Sequence, residues 1–159
     1  MTLGPPDPAP EQDVLAQSDL APEQDVIDML LAQHQRAREL LAEVRSGGPG
    51  KHQAFEDLRA MLAAHEKAEE IVVRPVTRQV AGDGVADARN NEEKHADEVL
   101  AALATLDTSS AEFDTMFADF EKAVSAHAEH EETEEFPRIR AGRSHQELVA
   151  MGQELLAAE

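Results

Sequence analysis

The sequence predicts an all-α protein, an antiparallel up-and-down four-helix bundle with a short additional C-terminal helix. Three observations predict it. Apolar residues recur at steps of three and four along four long segments, the spacing of one helix face. Clusters of Gly, Pro and Ser separate those segments. The composition is rich in Ala, Leu, Glu and Gln, which favour helices, and holds no Trp, no Tyr and only five Phe, poor material for strands. No stretch shows the period-two alternation of a half-buried strand.

The elements follow in order along the 159 residues. Residues 1–22 contain Pro5, Pro6, Pro8, Pro10 and Pro22, and the run APEQDV at 9–14 recurs at 21–26. This composition predicts a disordered tail that arose by duplication, with a docking arm as the alternative. The bundle itself is expected over 23–140. Its first helix carries Ile27, Leu30, Leu31, His34, Ala37, Leu41 and Val44 and stops at Gly47-Gly48-Pro49-Gly50. The second carries Phe55, Leu58, Leu62, His65, Glu69, Val72 and Val76, with Pro75 near its end. Ala81-Gly82-Asp83-Gly84 reads as a loop. The third stripe runs Glu92, His95, Val99, Ala102, Leu103, Leu106. Its start is either a capping box between Asn90 and Glu93 or an earlier point near Val85. Asp107-Thr108-Ser109-Ser110 ends it, and Ser110 suits the N-cap of a fourth helix. That helix carries Phe113, Phe117, Phe120, Val124, His127, Glu131 and Glu134, and Pro137 marks its end. A shorter amphipathic piece with Leu148, Met151, Leu155 and Leu156 makes 141–159 a helical tail.

Charge and missing residue types narrow the chemistry. Lys and Arg total 14 against 33 Asp and Glu, a formal net charge of −19. A surface this acidic repels phosphate, which argues against nucleic acid and anionic membranes as partners. No segment approaches the length of an apolar membrane span. The first residues show neither the basic nor the apolar region of a secretory signal, so a cytoplasmic location is expected. The absence of Cys removes disulfides, thiolate metal sites and thiol nucleophiles. Imidazole and carboxylate remain as the good ligands for a transition metal.

The seven His then divide by register. His34, His65, His95 and His127 fall one on each apolar stripe. His52 and His145 are expected at the surface, and His130 in a solvated or supporting role. Glu69 follows His65 by four residues and Glu131 follows His127 by four, so each pair shares a helix face and can grip one centre. Ionised carboxylates in a bundle core are costly unless paired or bound to metal. Lys and Arg are absent from these seam positions, so the countercharge is expected to be a cation held inside the bundle. The two His-x-x-x-Glu motifs lie 62 residues apart, each with a Pro ten residues after its His, and the two lone His lie 61 apart. The chain therefore reads as two αα-hairpins related by a pseudo-twofold axis. Together they bring four imidazoles and two carboxylates to the centre, a set suited to two ions, with iron favoured and manganese as a competitor.

The pattern His34 … His65-x-x-x-Glu69 … His95 … His127-x-x-x-Glu131, with Glu70, Pro75, Glu132 and Pro137 trailing, resembles the hemerythrin-like (HHE cation-binding) family over about residues 24–140. The resemblance implies a non-haem di-iron centre, oxo- or hydroxo-bridged. Glu69 and Glu131 would bridge the irons, His34 and His65 would cap one, and His95 and His127 the other. It further implies that O2 or a related small molecule, peroxide or nitric oxide, binds there. Alternatives on the same site are a catalase-like, peroxide-decomposing enzyme and an iron- or oxygen-sensing module. The oxygen carriers of this family have a His-x-x-x-His pair on the third helix. Here the positions flanking His95 by four are Asn91 and Val99, which leaves one iron a His short. Glu66, in a His-Glu-x-x-Glu arrangement known in the family, is the candidate for the missing ligand, with a solvated surface role as the alternative. Glu92 is a weaker candidate, equally explained as a first-turn Glu favoured by the helix dipole.

Overall fold

A computed structural model describes residues 24–159. The expected tail at 1–22 lies outside the described residues. Four long helical rods form the bundle, and among the described residues there is no strand. The first rod is α1, Val26–Ser46. The second joins α2, Lys51–Ala68, to α3, Arg74–Ala81, through a π turn, π1, at Glu69–Val73. The third is α4, Asp83–Leu103. The fourth joins α5, Ala111–His130, to α6, Phe136–Gly142, through a second π turn, π2, at Glu131–Glu135. A last helix, α7, His145–Ala158, packs on α1, α2 and π1. No helix among the described residues is long and apolar enough to cross a membrane.

Local chemistry explains most boundaries. Asp25 caps α1 by accepting from the Asp28 amide at 2.8 Å. Ser110 caps α5 as its sequence predicts, accepting from the Phe113 amide at 3.1 Å. Ser144 and Glu147 close a reciprocal capping box on α7.

Three expectations need correction. The second and fourth rods do not stop at Pro75 and Pro137. Each proline sits in the first turn of the helix after a π turn, where its missing N–H is tolerated. The loop at 81–84 shrinks to Gly82, whose φ of 94° lies in the region that only Gly enters freely. And α4 starts at Asp83, so Asn90 and Glu93 form no capping box. Their side chains turn inward instead, both onto Arg74.

The apolar side chains form two clusters at opposite ends of the bundle. One gathers Ala37 to Val44, Ala54 to Leu62, Ala96, Leu103 and the Phe113, Phe117 and Phe120 rings. The other gathers Val26, Ile27, Leu30, Val72, Val73, Phe136 and Ile139, together with Leu148, Met151 and Leu155 from α7. Along every rod the residues between the clusters are polar and buried: His34; His65 and Glu69; Arg89 and Glu93; Glu131. His127, slightly more open, completes this layer. An internal polar layer thus divides the core.

Candidate metal centre

The layer resolves into two overlapping groups of four. His34, His65, Glu69 and Glu131 form one, and Glu69, Glu93, His127 and Glu131 the other. Within each group one ligand atom per residue lies within 4.8 Å of all the rest. Glu69 and Glu131 belong to both, which is the placement of bridging carboxylates. His34 Nε2 stands 3.5 Å and His127 Nε2 2.9 Å from Glu131 Oε1. His65 Nε2 contacts Glu69 Oε1.

Each imidazole is aimed by an acceptor on its far nitrogen. His65 Nδ1 donates to Gln33 Oε1 at 2.6 Å, His34 Nδ1 to Glu132 Oε1 at 3.3 Å, and His127 Nδ1 to Glu92 Oε2 at 2.8 Å. Holding the proton on Nδ1 leaves the Nε2 lone pair facing the centre, the usual arrangement of a metal-ligating His. The centre itself is short of donors. His34 Nε2, His127 Nε2 and all four carboxylate oxygens of Glu69 and Glu131 are buried without a well-aligned hydrogen bond, although charged neighbours stand close. Buried polar atoms are rarely left so, and divalent cations would satisfy all six. The residues therefore fit a metal centre.

The electrostatics agree. Burial alone would lower the pKa of His65, but the Glu69 carboxylate outweighs it and raises it to about 9. His127 is pushed up to about 11 against its burial, by the Glu131 and Glu93 carboxylates beside its Nε2. Burial and the neighbouring Glu131 charge raise Glu69 to about 8. Glu131 stays well below the ordinary carboxylate range despite burial, because the Glu69 carboxyl and the His127 and His34 rings stand against it. Without a cation, the cluster holds itself together with protons.

Five of the seven sequence-derived ligands come together here: His34, His65, Glu69, His127 and Glu131. His95 does not. It is exposed, and the buried positions of α4 run Ala86, Arg89, Glu93, Ala96, Leu103. The stripe Glu92, His95, Val99 lies one residue, about 100°, off that face. Glu93, one turn before Ala96, takes the ligand position instead. Glu66 is half-buried beside the centre but outside both groups of four. It faces Asp97, and burial together with that carboxylate raises its pKa to about 9. Glu92 lies outside both groups of four and contacts residues in and around them. It accepts from His127, from His130 Nδ1 at 2.8 Å and from Arg89 Nη2 at 2.7 Å.

The countercharge expected from a bound cation is supplied in part by the chain itself, from a position off the named seams. Arg74 is 2% exposed and lies against Glu69, Glu93, Glu131 and Glu135. Its Nη1 donates to Glu135 Oε1 at 2.5 Å, and its Nη2 approaches Glu69 Oε2 at 3.1 Å. In an α-helix residues five apart point away from one another, whereas a π turn stacks them. π1 is what swings Arg74 over Glu69.

On the side facing the Phe-rich cluster, a narrow cavity of about 30 Å³ opens between Ala37, Leu41, Leu62, Ala96 and Val124, with His34, His65, Glu66, His127 and Glu131 in its wall. It is mostly apolar and large enough for a water- or dioxygen-sized molecule.

The family model described as hemerythrin HHE cation binding domain matches residues 25–139. The chain belongs to that family. Its fold is similar to the crystal structure of a hemerythrin HHE cation binding domain-containing protein from Mycobacterium kansasii, with a TM-score of 0.74 at 18% identity, covering 84% of each chain. No curated protein matches the sequence.

Proposed function

We propose that this protein holds two iron ions in the polar layer and binds O2, peroxide or nitric oxide beside them. The observation that carries the reading is the pair of four-residue groups sharing Glu69 and Glu131. The first ion would take His34 and His65, the second Glu93 and His127. Iron suits a donor set of imidazole and carboxylate without sulfur, and manganese is the competitor. Two such ions would supply electrons to a small oxidising molecule. The protein's own part is to keep Nε2 lone pairs inward, to share two carboxylates between the ions, and to shelter the site. The cavity at Ala96 reaches His34, His65, His127 and Glu131, so a small apolar molecule there would stand beside imidazoles of both groups.

The test is metal analysis with ultraviolet–visible spectra. The expected result is about two irons per chain and a charge-transfer band when reduced protein meets air, peroxide or nitric oxide. Two irons with no spectral response to any of the three would sink the reading. Steady O2 evolution from peroxide, lost in Glu69→Ala, would mark the catalase-like alternative.

A further inference from the structure

The two hairpins repeat with an offset of 62 residues, which pairs His65 with His127, Glu69 with Glu131 and Pro75 with Pro137. The same offset pairs Arg74 with Phe136. Both follow a π turn, both are buried, and each is stacked inward by that turn. They face different halves of the centre. Phe136 lies along the His34 ring, centroids 5.6 Å apart and planes 23° from parallel. Arg74 lies against Glu93. A neutral ring therefore backs the two-imidazole group, and a permanent cation backs the other.

The contacts at Glu93 make the conflict specific. The Arg74 guanidinium touches Glu93 Oε1, and His127 Nε2 stands 3.3 Å from that same oxygen. All three carboxylates of the Glu69/Glu93/His127/Glu131 group touch Arg74. The other group shares only Glu69 and Glu131 with Arg74. A guanidinium stays charged at any ordinary pH.

We infer that Arg74 is a resident cation that makes the two metal positions unequal: the His34/His65 position fills first and tightly, and the Glu93/His127 position competes with the Arg74 guanidinium for Glu93 and binds weakly. This rests on the two-metal reading above. Arg74 acts as a positioning residue. It gathers Glu69, Glu93, Glu131 and Glu135 when no metal is bound, and it repels a cation from the position nearest to it. Asn90 fixes it by accepting from Nε at 3.1 Å, and Thr77 shares its Glu135 partner at 2.5 Å.

The experiment is a calorimetric titration of divalent manganese into the metal-stripped full chain, with electron paramagnetic resonance counting bound ions. The wild type should show two events separated by at least about tenfold, the scale of one uncompensated charge at short range. Glu93→Gln should remove the weaker event and keep the tighter. Arg74→Gln should tighten the weaker event by about tenfold while lowering the melting temperature of the metal-free protein. A merely structural Arg would move both in the same adverse direction. Arg74→Gln combined with Glu135→Gln removes the buried pair together and gives the same tightening if the single variant does not fold. Two equal events in the wild type, loss of the tighter event in Glu93→Gln, or weakening in the Arg74 variants would overturn the inference alone. Absence of any binding by the wild type would overturn the two-metal reading along with it.

Discussion

His34 and His127 approach the same oxygen, Glu131 Oε1, from two different rods, at 3.5 and 2.9 Å. That oxygen is a corner common to both groups of four. Glu131→Gln keeps the shape and removes the charge, so it should abolish binding at both positions. His95→Ala should leave the metal content at the wild-type level, because His95 is exposed and belongs to neither group. Elemental analysis of the purified variants checks both. Loss of metal in His95→Ala would contradict the register of α4.

Glu92 belongs to neither group of four and yet fixes an imidazole of one. Glu92→Ala removes the acceptor of His127 Nδ1 and frees the ring. Metal affinity should fall by about 10- to 100-fold, the usual effect of losing such a partner. Competition against a chelator of known affinity measures it.

Ala96 lines the cavity that reaches the metal layer. Ala96→Leu should fill the space between Leu41, Leu62 and Val124 without replacing any candidate ligand. Metal content is expected to stay unchanged while the spectral response to O2 slows. A response as fast as that of the wild type would mean that small molecules enter elsewhere.

The metal-free protein should be more stable in mild acid than in mild alkali. The folded state raises His65 from 6.5 to about 9, His127 to about 11 and Glu69 from 4.5 to about 8. In each case the folded chain binds protons that the unfolded chain releases, so stability falls as pH rises. The imidazole contributions are complete below about pH 6.5; that of His65 is lost as pH climbs through about 9 and that of His127 through about 11. Keeping Glu69 protonated disfavours folding progressively from about pH 4.5 to about 8. Glu131, held low, acts in the opposite sense only at more acidic pH. Melting curves followed by circular dichroism should therefore show a decline from about pH 6.5 to about pH 9. A flat profile would count against this charge arrangement.

Phe113 is fully buried and stacks edge-on with Phe55 at 5.0 Å. Phe113→Ala should cost about 3–5 kcal/mol in denaturant unfolding, with metal content retained. Ile71 is 57% exposed, and Ile71→Ala should stay within about 0.5 kcal/mol of the wild type.

What the sequence made legible was whatever rests on local register. The helix face places His65 with Glu69 and His127 with Glu131, and the 62-residue offset declares two hairpins. Glu93 was hidden because α4 begins at Asp83, and its long polar start gives no apolar anchor to set the phase. Two readings one residue apart then compete, and tertiary packing decides between them. Arg74 was hidden for a different reason. Five residues after Glu69, it lies off the face in any α-helical projection, and only the π turn returns it. The signal available was the proline after each motif, which marks where a regular helix must give way.

Two small oily cores share four continuous rods, and the charged floor between them belongs to neither. Each is too small to stand as an independent domain, so their cooperation passes through that floor. Strip its balance of charge and one end of the bundle can open while the other stays shut. Susceptibility to proteolysis would then report cation status, with cleavage beginning near whichever core lets go first.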